Sequence, residues 1–335
     1  MSIANLTQKL QNHEDIGYAG MQIFMQQLMR GELPEQQIKD FLIALSDKGE
    51  TVKEIVGAAQ VMRDCAINIK PEDEIVLDTC GTGGDGSSTL NVSTLVSLTC
   101  AALGITVAKH GNRAVSSKSG SADLLEKLGI PIDLSPEDAL RTINEEGYAF
   151  LYAPNFHPAM KHASAARKSL GRRSIFNCLG PLSNPGGATC QLIGAYSQDL
   201  ARLMVRALAD LGSNRAIVVC SDDGLDEVSL SSPTLICEYR LDSIAEYEVC
   251  PEDFGIKPQP LETLQCASIE ESLHMANEVL SGALGPRTEI VALNAGFALV
   301  AAGVVDQITD GLNLARKALI DGVVQEYVEL LRSPQ

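Results

Sequence analysis

The sequence contains no tryptophan, few aromatic residues and far fewer basic than acidic side chains. Aromatic residues make up 4% of the 335 residues, and 26 lysines and arginines stand against 43 aspartates and glutamates, for a formal net charge of −17. Binding to duplex nucleic acid depends on clustered lysine and arginine. We therefore expect no nucleic-acid partner. A small anionic ligand remains compatible, because local charges in a site can oppose the field of the whole protein.

Long apolar segments are also missing. No uninterrupted apolar run approaches the roughly 20 residues that a membrane-spanning helix needs. The longest candidate, residues 290–305, is short and rich in alanine and glycine, which is typical of a buried core helix. The first residues are polar and amphipathic, unlike a secretory signal. We therefore expect a cytoplasmic protein without a membrane partner.

Cysteines at metal-binding spacing are absent as well. The nine cysteines are scattered from Cys65 to Cys266, with no CxxC pair and no Cys/His cluster spaced for zinc. Most lie inside apolar runs, as Cys220 does. This pattern indicates small core residues in a reducing compartment and argues against a structural disulfide.

The hydrophobic pattern changes character along the chain, which is long enough for about two domains. The first ~70 residues show only helical periodicity, and Thr51 and Glu54 form a capping box at one helix start. From residue 74, short apolar runs alternate with helices, which predicts βαβ units and a mainly parallel sheet. The fold class is thus α/β, with a small all-helical domain beside a large α/β domain that contains the central sheet.

The same patterns locate the individual elements. Strands are predicted at residues 75–77, 106–108, 149–152, 191–194 and 216–219, with an antiparallel pair at 234–239 and 247–249. Helices are predicted at residues 92–103, 122–128, 200–211, 269–280, 289–302 and 307–331. Between about residues 158 and 185, a helix is followed by a Gly/Pro-marked segment that suggests a crossover or hinge.

Three polar loops follow predicted strands, where the carboxyl ends of parallel strands bind ligands. The first, GTGGD at residues 81–85, has glycines that let consecutive amides converge on phosphate oxygens. It matches neither the dinucleotide fingerprint nor the P-loop. The second, residues 109–121, combines basic side chains and serines before a helix, which favours another anion site. The alternative for the first loop is a tight turn exposed to solvent, and the alternative for the second is a solvated basic loop.

The third loop, DDGLDE at residues 222–227, places carboxylates at a strand end. Such carboxylates suit a hard cation, and Mg²⁺ often joins carboxylates to substrate phosphates. A solvated acidic turn is the alternative. Together the loops suggest a substrate with a diphosphate and a separate monophosphate, such as 5-phosphoribosyl 1-diphosphate, with Mg²⁺ between diphosphate and protein.

Four segments resemble the signature segments of the anthranilate phosphoribosyltransferase family. They are DTCGTGGDGSSTLNVST, KHGNRAVSSKSGSADLLEKLG, HPAMKHASAARKSLGRRSIFNCLGPLSNP and GLDEVS, beginning at residues 78, 109, 157 and 224. The resemblance implies transfer of phosphoribose from 5-phosphoribosyl 1-diphosphate to the amine of anthranilate, in tryptophan biosynthesis, with Mg²⁺ as cofactor. It also implies a helical domain at 1–70, with a returning segment near 165–190, hinged to an α/β domain at 71–164 and 191–335. The helical domains would form a homodimer.

The resemblance further implies roles for individual residues. The phosphoribosyl diphosphate would contact Gly81, Thr82, Gly83, Gly84, Asp85, Thr89, Asn91, Ser93, Thr94, Lys109, Ser116 and Ser117. Anthranilate would contact Gly81, His110, Asn112 and Arg167, with Arg167 facing its carboxylate, and the Mg²⁺ ligands would be Ser93, Asp226 and Glu227.

No residue is assigned as an obligatory base, because an aromatic amine is nucleophilic when neutral. His110 is the candidate for proton transfer. Asp222 and Asp223 could compete for the metal, and Asn155 and Phe156 lie near the expected acceptor region without an assigned role.

Two alternative functions use the same scaffold. A pyrimidine nucleoside phosphorylase shares the general fold and a related Lys/Ser loop, but its glycine loop resembles STGGVGD and it lacks the Asp-Glu metal segment. A non-catalytic relative that binds nucleic acid would need a basic surface, and the net charge of −17 argues against one.

Overall fold

The structure, a computed structural model, describes residues 1–83, 86–113 and 120–332. Four helices begin the chain: α1 (Ile3–Gln11), α2 (Gly17–Met29), α3 (Glu35–Lys48) and α4 (Val52–Asp64). The predicted capping box at the start of α4 is confirmed, because Thr51 Oγ1 accepts from the Glu54 N–H and the Glu54 carboxylate accepts from the Thr51 N–H. The same buried carboxylate accepts from the Ile16 N–H and from Lys48 Nζ. Glu54 therefore joins the beginnings of α2 and α4 to the end of α3.

A seven-stranded sheet follows. Its strands are β1 (Val76–Gly81), β2 (Thr106–Gly111), β3 (Tyr148–Tyr152), β4 (Cys190–Gly194), β5 (Arg215–Ser221), β6 (Thr234–Arg240) and β7 (Ser243–Val249). They lie in the order β3-β2-β1-β4-β5-β6-β7. The first five strands pair in parallel, and β6 and β7 add antiparallel pairs at one edge. The predictions of a mainly parallel sheet and of the antiparallel pair are confirmed.

The remaining helices cover the sheet and connect its strands. They are α5 (Val92–Ala102), α6 (Ser121–Lys127), α7 (Pro136–Glu146), α8 (Ala153–Phe156), α9 (Lys161–Leu170), α10 (Phe176–Leu182), α11 (Gln198–Asp210), α12 (Ile269–Leu280), α13 (Pro286–Ala301), α14 (Ile308–Ile320) and α15 (Val323–Leu331). Short 3-10 turns occur at Pro158–Met160, Pro251–Phe254 and Leu261–Leu264.

One helix prediction is wrong. The segment 307–331 forms two helices, α14 and α15, because Gly322 adopts a left-handed conformation with φ 82° between them. The predicted apolar core helix is confirmed as α13, whose residues from Ile290 to Ala301 are buried without interruption. Within the described ranges, no helix combines the length and apolar character needed to cross a membrane.

Two large hydrophobic cores lie on opposite faces of the sheet, as alternation along β5 shows. Ile217 and Val219 point into a core with α5, α6 and α12 to α15. Ala216, Val218 and Cys220 point into a core that also contains the apolar faces of α1 to α4 and of α9 to α11. The first four helices and the sheet therefore share one continuous core.

Candidate active site

A cavity of about 680 Å³ opens at the carboxyl ends of β1 and β2. Residues of the three predicted loops line it from the sheet side, and α4, α9 and α10 contribute Met62, Arg167 and Phe176 from the other side. The strand order changes direction at β1, since β2 lies on one side of it and β4 on the other. The cavity thus occupies the topological switch point where open α/β sheets bind ligands.

The structure brings most of the predicted site residues to this cavity. Its wall includes Gly81, Thr82, Gly83, Thr89, Asn91, Ser93, Lys109, His110, Asn112, Arg167, Asp226 and Glu227. Thr94 lies away from the wall, fully buried in α5. Gly84, Asp85, Ser116 and Ser117 lie outside the described residues.

Two glycines allow Asp226 to lie across the ends of β1 and β4. Gly81 and Gly194 are register partners in the parallel pair of these strands. A Cβ atom on Gly194 would lie 1.6 Å from the Asp226 carbonyl oxygen, and one on Gly81 would lie 2.5 Å from Asp226 Oδ2. The contact at Gly194 is with backbone atoms, so the position of the acidic segment requires glycine there, whereas a side chain at position 81 would require the Asp226 carboxylate to move.

Both carboxylates of the acidic pair accept hydrogen bonds from backbone amides. Asp226 Oδ2 accepts from the N–H of Gly83 at 3.2 Å. Glu227 Oε1 accepts from the N–H of Ser93 at 3.1 Å, in the first turn of α5. The two acidic side chains therefore touch both the glycine loop and a helix N-terminus, where amides attract negative charge.

The donors at this point suit a hard cation. Two adjacent carboxylates and the nearby Ser93 hydroxyl supply oxygen ligands, and within the described ranges no group of three or more His, Cys, Asp or Glu side chains forms a self-contained metal cage. Mg²⁺ in phosphate-binding enzymes is typically held by one or two carboxylates together with substrate phosphates. The residues therefore fit Mg²⁺ in that mode.

The other two acidic residues of the third loop have structural partners. Asp223 Oδ2 accepts from the hydroxyls of Ser229 and Ser231, both at 2.6 Å, and Asp223 Oδ1 accepts from the Leu225 N–H at 3.1 Å. Burial alone would raise the pKa of Asp223, but these hydrogen bonds outweigh it and lower the pKa. Asp222 accepts from Gln198 Nε2 at 3.0 Å. Asp223 thus holds the turn that presents the Asp226–Glu227 pair.

Lys109 provides a buried cation at the floor of the cavity. Its side chain is 1% exposed and Nζ donates to the Thr79 carbonyl oxygen at 2.5 Å. Burial lowers the pKa of Lys109, while the nearby Cys80, Asp78 and Glu227 raise it. Burial raises the pKa of Asp78 to about 6, and its Oδ1 accepts from the His110 N–H at 3.2 Å.

Two buried histidines face each other in the cavity wall. The rings of His110 and His157 lie 5.0 Å apart at 50°. Burial, reinforced by the neighbouring His157, lowers the pKa of His110 to about 3, and burial lowers that of His157 to about 4. His110 Nδ1 lies 3.1 Å from the Gly180 carbonyl oxygen, which assigns the proton to Nδ1 and leaves Nε2 as an acceptor. Such a ring stays neutral at ordinary pH and is a weak base.

Two arginines also lie at the cavity, Arg113 and Arg167. Arg167 lines the cavity and its guanidinium lies 5.0 Å from the centre of the Phe176 ring. Arg113 also lines the cavity and pairs with Asp123 and Glu126 of α6 at 3.0 and 2.9 Å. Its contribution to an anion site stays a prediction.

Sequence reasoning missed His157 and left Asn155 without a role. His157 follows the carboxyl end of β3, so its position after a strand is the signal that could have identified it. Asn155 is instead structural, since its Nδ2 donates to Asp133 Oδ1 at 2.8 Å, and Phe156 is fully buried.

The two parts of the chain match two models of one family. Residues 4–66 match the glycosyl transferase family, helical bundle domain, and residues 73–325 match the glycosyl transferase family, a/b domain. These matches agree with the helical region and the sheet region of the fold. The class of protein is therefore a glycosyl transferase built from these two domains.

Individual relatives narrow this class. The chain is 45% identical to anthranilate phosphoribosyltransferase from Symbiobacterium thermophilum, over 98% of this chain and 96% of that one. It resembles the crystal structure of anthranilate phosphoribosyltransferase from Thermus thermophilus, with a TM-score of 0.91 and 39% identity over 98% and 99% of the two chains. The enzyme from Saccharomyces cerevisiae, solved in complex with PRPP and Mg, gives a TM-score of 0.86 at 25% identity, over 98% and 96% of the chains. The chain belongs to the anthranilate phosphoribosyltransferase family.

Proposed function

We infer that this chain transfers phosphoribose from 5-phosphoribosyl 1-diphosphate to the amine of anthranilate and releases diphosphate, in tryptophan biosynthesis. The observation that carries this inference is the meeting of the glycine loop, Lys109 and the Asp226–Glu227 pair in one cavity. The family membership supports it, as does the yeast relative solved with PRPP and Mg. The bond between C1 of the ribose and the diphosphate oxygen breaks, a bond from the amine nitrogen to C1 forms, and the amine loses one proton.

Charge stabilisation is the main task of the site in this reaction. Negative charge grows on the departing diphosphate, where the amides of the glycine loop and of Ser93 and the ammonium group of Lys109 can bind it. Asp226 and Glu227, with the hydroxyl of Ser93, would hold Mg²⁺, which supplies further positive charge to the leaving group. The Cys80–Gly83 segment and Asn91 position the diphosphate at the ends of β1 and α5.

The acceptor side of the cavity would orient anthranilate. Arg167 would bind the carboxylate through charge-assisted hydrogen bonds, and Asn112 lies at the same wall. Neutral His110 lies at this wall with its Nε2 atom buried, so it would accept a hydrogen bond from the amine at Nε2 only after neighbouring side chains move. With a pKa of about 3, His110 orients the amine more effectively than it removes a proton at neutral pH.

A fluorescence assay tests the function directly. Anthranilate fluorescence should fall only when donor and Mg²⁺ are both present, and the Asp226→Ala/Glu227→Ala double variant should show no turnover while its circular dichroism stays unchanged. Loss of activity on chelation would agree with the proposal. Cleavage of a pyrimidine nucleoside by inorganic phosphate, without consumption of anthranilate, would instead favour the phosphorylase alternative.

We further propose a cytoplasmic homodimer that associates through the helical domain, residues 1–70 with the returning segment near 165–190. Support for the returning segment comes from α9, which contacts α2 and α3, and from α10, which contacts α4. Support for the surface comes from a hollow of about 250 Å³ beside Leu10 and Ile43, the latter 36% exposed on α3. Light scattering should give a dimer for the parent chain and a monomer for Ile43→Glu, whereas Leu330→Glu on α15 should remain dimeric.

A further inference from the structure

The Asp226–Glu227 pair occupies the donors that a diphosphate would need. Gly83 donates its N–H to Asp226 Oδ2, and Ser93 donates its N–H to Glu227 Oε1. Each amide has a single hydrogen, so a phosphate oxygen can receive it in full only after the carboxylate releases it. The carboxylates and the diphosphate are therefore competitors for the same two amides.

The main chain under these carboxylates is held independently of the amides. The Val228 N–H donates to Asn294 Oδ1 at 2.8 Å, and Asn294 Nδ2 donates to the Val228 carbonyl oxygen at 3.0 Å. Asn294 is fully buried in α13, and Gly194 packs beneath the Asp226 carbonyl group. The two side chains can therefore leave the amides by rotating, while the backbone that presents them stays in place.

We propose that Asp226 and Glu227 make the site selective for diphosphate in its Mg²⁺ complex, by occupying the Gly83 and Ser93 amides until a cation binds the carboxylates. The identity of the donor in this proposal rests on the proposed function. A diphosphate without metal must displace two carboxylates and then lie against their negative charge. A diphosphate with Mg²⁺ gives the carboxylates a cation to bind and frees both amides for phosphate oxygens. Metal and diphosphate thus strengthen each other's binding by the same factor.

The experiment compares two double variants that remove the same charge. Asp226→Ala/Glu227→Ala leaves the two amides without a side-chain acceptor, whereas Asp226→Asn/Glu227→Gln keeps an oxygen that can accept from them. Isothermal titration with inorganic diphosphate in the presence of EDTA measures metal-free binding. We expect the alanine variant to bind about tenfold more tightly than the parent chain, as loss of competition from charged acceptors implies. The Asn/Gln variant should gain distinctly less.

Two results would overturn the proposal. Equal gains in both double variants would mean that long-range charge alone disfavours metal-free diphosphate, and no gain in the alanine variant would mean that the amides are not contested. With Mg²⁺ added, the parent chain should bind diphosphate more tightly, and the alanine variant should gain little.

A measurement on the parent chain keeps the proposal testable if a variant does not fold. In protein labelled with ¹⁵N-glycine, the Gly83 amide resonance should shift when diphosphate and Mg²⁺ are added together. At the same diphosphate concentration in EDTA, it should stay in place, and an equal shift would contradict the proposal. Neither experiment uses anthranilate, so a failure of the proposed transfer reaction would be seen separately in the fluorescence assay.

Discussion

At the scale of single residues, burial keeps two histidines of the cavity neutral. The pKa of His110 lies at about 3 and that of His157 at about 4, both below the ordinary value of about 6.5. Between the folded pKa values and the ordinary value of about 6.5, the unfolded chain binds more protons than the folded chain. The contribution of these neutral rings to the free energy of unfolding is therefore complete above pH 6.5 and is lost as the pH falls towards 4 and 3.

Replacement of His157 should weaken this pH dependence. Between pH 6.5 and 4.5, the parent chain should lose up to about 1.4 kcal/mol more unfolding free energy per pH unit than His157→Gln, because the variant has one titrating group fewer. Urea unfolding at three pH values measures the difference. His274→Gln, which changes an exposed histidine of α12, is the control. Parallel curves for His157→Gln and the parent chain would show that burial of this ring does not govern acid stability.

Arg167 should separate the two substrates kinetically. Arg167→Ala would remove the proposed charge-assisted partner of the anthranilate carboxylate, worth about 1.5–3 kcal/mol, so the KM for anthranilate should rise by roughly 10- to 100-fold. The KM for the phosphoribosyl donor should change little, and Lys168→Ala, on the same helix but away from the cavity wall, is the matched control. Equal increases in both KM values would argue against a specific acceptor contact.

At the scale of elements, the sequence predicts where strands lie better than where they end. The strand predicted at 75–77 continues to Gly81, because β4 pairs with it from Leu77 to Gly81. The strand predicted at 106–108 likewise continues to Gly111 through pairing with β3. These extensions depend on partners far along the chain, which local propensity does not report. The predicted loops are therefore shorter than expected and begin as strand ends.

For the candidate site too, local sequence predicts the types of residue but not the contacts between distant segments. Glycines, basic groups and carboxylates indicated a cavity for a phosphorylated ligand, since each type has its own chemistry. The contacts of Asp226 with Gly83 and of Glu227 with Ser93 join residues more than 100 positions apart, so their pairing could not be read from local pattern. Likewise, only the fold shows that Asp223 turns towards Ser229 and Ser231.

The conformation of the turn between β5 and the Asp226–Glu227 pair should depend on Asp223. Asp223→Ala removes the carboxylate that accepts from the hydroxyls of both Ser229 and Ser231 and so loosens the turn. We expect Mn²⁺ affinity, measured by electron paramagnetic resonance with diphosphate present, to fall about tenfold, as expected for the loss of one or two charge-assisted hydrogen bonds. Asp222→Ala removes the same charge one residue earlier and should bind Mn²⁺ like the parent chain. Matching losses in the two variants would assign the effect to charge alone.

At the scale of the whole molecule, the helical region and the sheet are joined by one core. Apolar side chains of α1 to α4 belong to the same cluster as Ile193 of β4 and Val218 of β5, with α11 between them. Separate domains would unfold separately only if each could keep its own core intact. Here, opening the helical region exposes one face of the sheet, so we expect the two regions to unfold together.

Glu54 provides the means to test this coupling. Its carboxylate is fully buried, and Glu54→Ala leaves Lys48, whose side chain is 4% exposed, without its buried partner. Removing one member of a buried pair typically costs about 3–5 kcal/mol. Asp15→Ala is the matched control, because Asp15 pairs with the same lysine but is 64% exposed, where an ion pair contributes about 0–1 kcal/mol.

Hydrogen exchange shows which helices and strands of Glu54→Ala are destabilised. If the shared core makes unfolding cooperative, Glu54→Ala should accelerate exchange of the slowest amides equally in α2, α4, β4 and β5, although the change lies about 140 residues before β4. Mass spectrometry of peptides from these elements measures the change, and Asp15→Ala should leave all four nearly unaffected. Faster exchange confined to the helices would mean that they open alone and that the face of β4 and β5 tolerates exposure. Equal acceleration would mean that the helical wall of the cavity and the strands β4 and β5 unfold together, because both contribute side chains to the hydrophobic core on that face of the sheet.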